Sequence, residues 1–109
     1  MINIDDFAKL DIRIGEIKSV EIVPDTDKLL KLEVDLGEEE PRQIVSGIRG
    51  YFSDPQELVG KRCPFVANLE PKMIRGLESN GMIMAASTDS GVFSLLVVDT
   101  PLPSGTKVC

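Results

Sequence analysis

The chain has no histidine and no tryptophan, one tyrosine, and two cysteines among its 109 residues. Without imidazole, a His-ligated zinc site, a serine or cysteine triad built on His and a His proton shuttle are all excluded from this polypeptide. Cys63 and Cys109 have neither Cys-x-x-Cys spacing nor the density of a disulfide scaffold, so a reducing, cytoplasmic setting is expected. No apolar run approaches the roughly 18 residues a membrane helix needs, and no basic region followed by an apolar stretch opens the chain, so no membrane partner is expected. A phosphate-cradling glycine loop is missing, and Ser46 lacks the Gly-x-Ser-x-Gly setting of a hydrolase nucleophile. Asp25 and Asp27 have no glycine-spaced calcium loop around them and read as turn formers. The expectation is therefore a non-enzymatic chain with no catalytic residue, no metal and no cofactor.

What is present suits one small core. Apolar residues make up 42% and charged residues 28%, near the average for soluble globular domains, and 109 residues predict one domain over 1–109. Net charge is −6, which by itself argues against nucleic acid. Its distribution argues otherwise. Residues 1–41 carry 5 basic and 12 acidic side chains, 42–76 carry 6 and 3, and 77–109 carry 1 and 3. Contacts are decided by charge within a Debye length of about 8 to 10 Å, so a local anion site survives an acidic total.

Turn signals every ten residues or so separate short apolar segments, the pattern of a small all-β sandwich or barrel. Leu10, Ile12 and Ile14 alternate with charges, and the apolar phase then moves to Ile17 after Gly15, which reads as a bulge or sharp bend. Leu30, Leu32, Val34 and Leu36 alternate with Lys31, Glu33 and Asp35 as a half-buried strand, and an acidic turn over 37–41 leads into a third strand over 43–48. Ser46 and Gly47 there leave room for another backbone or for a ligand. Asp54, Pro55, Glu57 and Gly60 carry the start and stop signals of one short helix, followed by strands over 62–69, 81–87 and 92–98. Three strands, a helix and two further strands is the order of an OB-fold, a five-stranded barrel, here with a C-terminal β extension.

OB-folds bind oligonucleotides on the face of strands 2 and 3, between the loops after strands 1 and 4. The first of those loops brings Lys28. The second, read as a loop between two strands, holds Lys72 and Arg75 as a point charge and a planar fork for phosphate, Asn68 and Ser79 as hydrogen-bonding groups for ribose or base, and Met82 at its floor. Arg42 and Arg49 are further phosphate candidates, and Ser46 lies between them. Tyr51 and Phe52 are the aromatics nearest this basic segment and read as packing residues.

The blocks Asp11–Ile17 (DIRIGEI), Asp27–Leu32 (DKLLKL), Pro41–Ile48 (PRQIVSGI), Asn68–Lys72 (NLEPK) and Arg75–Met82 (RGLESNGM) stand in an order and spacing that resemble a known family. It is the tRNA-binding domain appended to methionyl-tRNA synthetase, also found as a free-standing tRNA-binding protein. The resemblance runs nearly end to end. It implies an OB-fold with a C-terminal extension, a homodimer joined through terminal segments, and general tRNA affinity supplied to methionyl-tRNA synthetase in cis or in trans. Val23 and Thr26 stand where many members have His and Ala, and Asn80 where Glu is frequent. An interaction module or chaperone-like OB-fold with incidental RNA binding is the competing expectation.

Overall fold

The structure is a computed structural model describing residues 1–109. Nine strands form: β1 (Ile12–Ile22), β2 (Leu30–Asp35), β3 (Arg42–Ser46), β4 (Arg62–Val66), β5 (Lys72–Ile74), β6 (Leu77–Ser79), β7 (Met82–Ile83), β8 (Ala85–Ser87) and β9 (Phe93–Leu95). Five of them make one antiparallel sheet in the order β3-β2-β1-β4-β7, curled into a nearly closed, OB-like all-β barrel. The long β1 is the hinge of this arrangement. Its first half, Ile12 to Glu16, pairs with β4, and its second half, Glu16 to Ile22, pairs with β2.

Gly15 sits at that change of partner, for a reason of packing. A Cβ there would lie 2.7 Å from both Leu36 and Val34 and 2.9 Å from Phe65, three buried side chains. The expected bulge is instead three residues on, where the β1–β2 register shifts between Ile17 and Ser19. The alternating segment of β2 puts Leu30, Leu32, Val34 and Leu36 inside, and Ile17, Ile44, Leu58, Cys63 and Phe65 complete the centre of the core.

The barrel closes along the free edge of β3. The Asn80 N–H donates to the Gln43 carbonyl at 2.9 Å, the Val45 N–H donates to Ser79 Oγ at 3.0 Å, and Gln43 Nε2 donates to the Glu78 carbonyl at 3.0 Å. Ser79 Oγ also reaches the Gly81 carbonyl at 3.3 Å. A buried hydroxyl with donor and acceptor partners satisfies an edge that would otherwise leave backbone groups unpaired.

Three further expectations are corrected. The α-helix is α1 (Ile4–Phe7), held by a capping box between Asn3 and Asp6, whereas the expected helical segment forms a single 3-10 turn, Pro55–Leu58. Asp54 caps it as anticipated, by accepting from the Gln56 N–H, but Val59 is already extended and Gly60 lies at φ +90°, so no room remains for a second turn. The second correction concerns the segment read as a loop, which is the hairpin β5–β6. Arg75 and Gly76, at φ +52° and +80°, form a two-residue turn with both residues left-handed, the geometry that matches strand twist. The strand expected over 81–87 divides, because β7 stays in the barrel while β8 leaves to pair with β9.

Every buried residue lies between Ile12 and Ile83. The C-terminal segment returns to the open edge of β1, where the Ile14 N–H donates to the Thr106 carbonyl and the Val108 N–H to the Ile12 carbonyl, both at 2.8 Å. No helix is long and apolar enough to cross a membrane.

Candidate nucleic-acid interface

An arginine or lysine is available to an anion only if no carboxylate of its own chain already holds it. Six of the twelve cations form intramolecular ion pairs: Lys9, Arg13, Lys18, Lys31, Arg42 and Arg62. The other six are Lys28, Arg49, Lys61, Lys72, Arg75 and Lys107. Four of these, Lys28, Arg49, Lys72 and Arg75, were singled out from the sequence as phosphate contacts, and three of the four come together at one end of the barrel.

The β1–β2 loop is closed by the Val23 N–H on the Leu29 carbonyl, with Asp25 at φ +62° making the turn and Thr26 Oγ1 donating to the Val23 carbonyl at 2.8 Å. This orients Lys28 outward. The β5–β6 hairpin carries Arg75 to the same place, so that Lys28, Leu29, Ile74 and Arg75 line one cavity of about 480 Å³ with Asp25 to Asp27. Arg49 is fastened beside it. Its backbone N–H donates to the Lys28 carbonyl at 3.1 Å and its guanidinium donates to the Thr26 carbonyl at 2.6 Å, leaving Nε and Nη2 free. Lys72, exposed at the base of the hairpin, pairs in register with Ser79.

The remaining candidates are placed differently. Arg42 is clasped by Glu38 through two bonds of 2.8 Å and donates its Nη1 to the Ala67 and Asn80 carbonyls. The Glu38 carboxyl is held below its ordinary range by this hydrogen bond, and the Arg42 guanidinium is raised. Both ends of the Asn68 amide are occupied, Oδ1 by the Asp11 N–H at 2.8 Å and Nδ2 by the Lys9 carbonyl at 2.7 Å. Ser79 is 5% exposed and fully engaged with the β3 edge. Arg42, Asn68 and Ser79 thus spend most of their hydrogen bonds on tying the barrel end together. Ser46 is half-buried at the loop end of β3, opposite Leu30, and Met82 is exposed beside Val66.

Two side chains that the sequence did not assign to the site, Lys61 and Tyr51, complete the surface. Lys61 is exposed and unpaired, and Tyr51 is 52% exposed rather than packed away, with its ring stacked on Phe93 at 4.0 Å. Phe52 does pack, half-buried against the core cluster. Nothing local marks Lys61 or Tyr51, since the partner that positions Tyr51 lies 42 residues away. The arrangement offers convergent cations without an activated nucleophile, which suits binding of a polyanion.

A family model described as "Putative tRNA binding domain" matches residues 12–107. Methionine–tRNA ligase of Deinococcus radiodurans is 53% identical over 108 residues, and that of Methanosarcina mazei 46%; each match covers 99% of this chain. The chain spans only 16% and 15% of those two proteins, about one sixth of their length. Among solved structures, a MetRS related protein from Pyrococcus horikoshii superposes with a TM-score of 0.92 at 40% identity, covering 100% of this chain and 98% of that one. The chaperone CsaA from Bacillus anthracis superposes with a TM-score of 0.87 at 32% identity, covering 100% and 99%.

Proposed function

This chain belongs to the tRNA-binding-domain family, and on that footing we propose that it is a single non-catalytic module that binds tRNA by backbone and shape, adding tRNA affinity to methionyl-tRNA synthetase. The observation that carries the reading is the gathering of Lys28, Arg49 and Arg75, none of them in an intramolecular ion pair, around two loops, with Lys72 on the hairpin between them and the barrel. In OB-folds these loops flank the oligonucleotide face. The affinity is supplied in cis or in trans, since the relatives named above include both long ligases and a chain of this length. Its place of work is the cytoplasm.

Phosphate contacts fall to Lys28, Arg49, Lys72 and Arg75, with Ser46 and Met82 beneath them. Arg42, Asn68 and Ser79 position the loops. The active form is a homodimer. Its contact lies at the terminal segments, where Met1, Ile2 and Ile4 are all more than half exposed. A stripe of exposed apolar residues is commonly covered by a partner.

Counterion release provides the test. With about four phosphates neutralised per protomer, log K against log salt should fall with a slope of roughly −3 to −4 in a filter-binding titration of bulk tRNA. A slope near zero overturns the reading. The likeness to CsaA supports a second one, polypeptide binding of a chaperone kind. Competition between bulk tRNA and an unfolded polypeptide decides between them.

A further inference from the structure

The cavity at the loop end is the first of three in a row. It shares Asp27 with a neighbour of about 290 Å³ lined by Arg49, Phe52, Ser53 and Pro55. That neighbour shares Phe52 with a third, of about 340 Å³, lined by Tyr51, Lys61, Glu57, Phe93 and Leu95. Adjoining cavities therefore carry Lys28 and Arg75, then Arg49, then an exposed aromatic ring with a further unpaired cation, Lys61, and Asp25, Asp27 and Glu57 line them as well.

Tyr51 is built to present a ring face. It lies two residues from Arg49 in one 3-10 turn, Arg49–Tyr51, and stacks on Phe93 with the rings 6° from parallel. Phe52 meets the same Phe93 ring edge to face, at 5.9 Å and 89°, so Phe93 touches one half-buried aromatic and supports another. Phe93 covers one face of Tyr51, and the residue is still 52% exposed. Continuing a stack of flat rings is what an unpaired nucleobase does on an aromatic side chain, and it does so whatever the base. Lys61 and Glu57 in the same cavity nearly cancel in charge, which suits a base at the ring with its phosphate on the Lys61 side.

We propose that Tyr51, backed by Phe93, is a stacking platform for an unpaired nucleotide of the bound RNA, and that Lys61 holds the adjoining phosphate. The interface then runs beyond the two loops along the barrel flank. This rests on the tRNA-binding reading and adds to it a site for single-stranded RNA.

Tyr51 is the only tyrosine and there is no tryptophan, so the intrinsic emission of the protein reports on this residue alone. The full chain is titrated with an eight-nucleotide oligouridylate, with correction for its absorbance. Saturable quenching of Tyr51 emission is expected. Tyr51→Leu should weaken bulk tRNA binding roughly 5- to 100-fold, while Tyr51→Phe leaves it unchanged. Should Tyr51→Leu loosen the fold, Lys61→Ala carries the test, with weaker tRNA binding and a salt slope shallower by about 1.

Unchanged emission at saturating oligouridylate, or wild-type tRNA affinity in Tyr51→Leu and Lys61→Ala, overturns the platform while Lys72→Ala/Arg75→Ala still loses tRNA. Quenching by an unfolded polypeptide and not by oligouridylate also overturns it, and assigns the groove to protein. Failure of the underlying reading looks different, because Lys72→Ala/Arg75→Ala would then change nothing.

Discussion

At the β2–β3 turn of the barrel, Arg13 and Arg42 lie against Asp11 and Glu38, with N–O distances of 2.9 and 2.8 Å. At the opposite end, where Leu30 pairs with Ser46, Lys28, Arg49 and Arg75 form no ion pair, although Asp25 and Asp27 line the same cavity. Residue types are the same at both ends and their pairing is opposed. Paired cations hold strands in register, because a guanidinium that satisfies a carboxylate and two backbone carbonyls, as Arg42 does, has four of its five N–H donors engaged within the fold. Unpaired ones have their hydration to exchange for phosphate, and release counterions when they do so. A cation's role is therefore decided by what its own chain has already offered it.

The sharpest way to break this contrast is to remove charge from each end in turn. Lys72→Ala/Arg75→Ala should weaken bulk tRNA binding roughly 100-fold, about tenfold per cation, and make the salt slope shallower by about 2. Its thermal midpoint should match the parent, since neither side chain makes a hydrogen bond or ion pair in the fold. Arg42→Ala should do the reverse. It strands the Glu38 carboxylate and the Ala67 and Asn80 carbonyls, costing about 1–3 kcal/mol in a denaturant melt. The folded protein should keep tRNA affinity within about threefold.

Ser79→Ala belongs with Arg42→Ala. Losing the acceptor for the buried Val45 N–H should cost about 1–2 kcal/mol, measured in the same melt, with tRNA binding impaired only as the hairpin shifts. Equal loss of binding in Arg42→Ala and in the Lys72 and Arg75 double variant would erase the distinction between the two ends.

Acid sharpens the comparison more gently. Glu38 and Asp11 are held below their ordinary pKa values by hydrogen bonds from Arg42 and Arg13. A carboxylate with a lowered folded pKa stabilises fully above its unfolded pKa, and that stability is lost as pH falls through the folded one. Melting temperature should therefore decline below about pH 4.5, and less steeply in Arg42→Ala. The smallest expected effect concerns the thiols. Burial pushes the Cys63 thiol up to about 11, while Cys109 is exposed. A thiol reagent at about pH 8 should titrate one group in the native protein and two after unfolding.

Much of the barrel was legible because its signals are local. The alternation from Leu30 to Leu36 is a property of adjacent residues, and all four side chains are inside. Gly15 was marked by the same pattern and still misread, because a phase change in sequence cannot distinguish a bulge from a glycine crowded by Val34, Leu36 and Phe65. The β5–β6 hairpin was missed for a chemical reason. Arg75 is an unusual residue for a left-handed turn position, where Asn or Asp is the ordinary signal. Arg42 and Arg75 look alike in a sequence, since the carbonyls that claim Arg42 belong to residues 25 and 38 positions away.

The sequence by itself determined the all-β class, the strand order of the barrel, the family and the basic middle segment, because these follow from neighbouring residues and from short blocks in a fixed order. Only the tertiary structure decided which cations remain unpaired, that Ser79 closes an edge instead of facing solvent, and that Tyr51 stays half exposed while stacked on Phe93. Those outcomes depend on partners brought together from distant parts of the chain. Burial and hydrogen bonding are settled in space, after the local pattern has done its work.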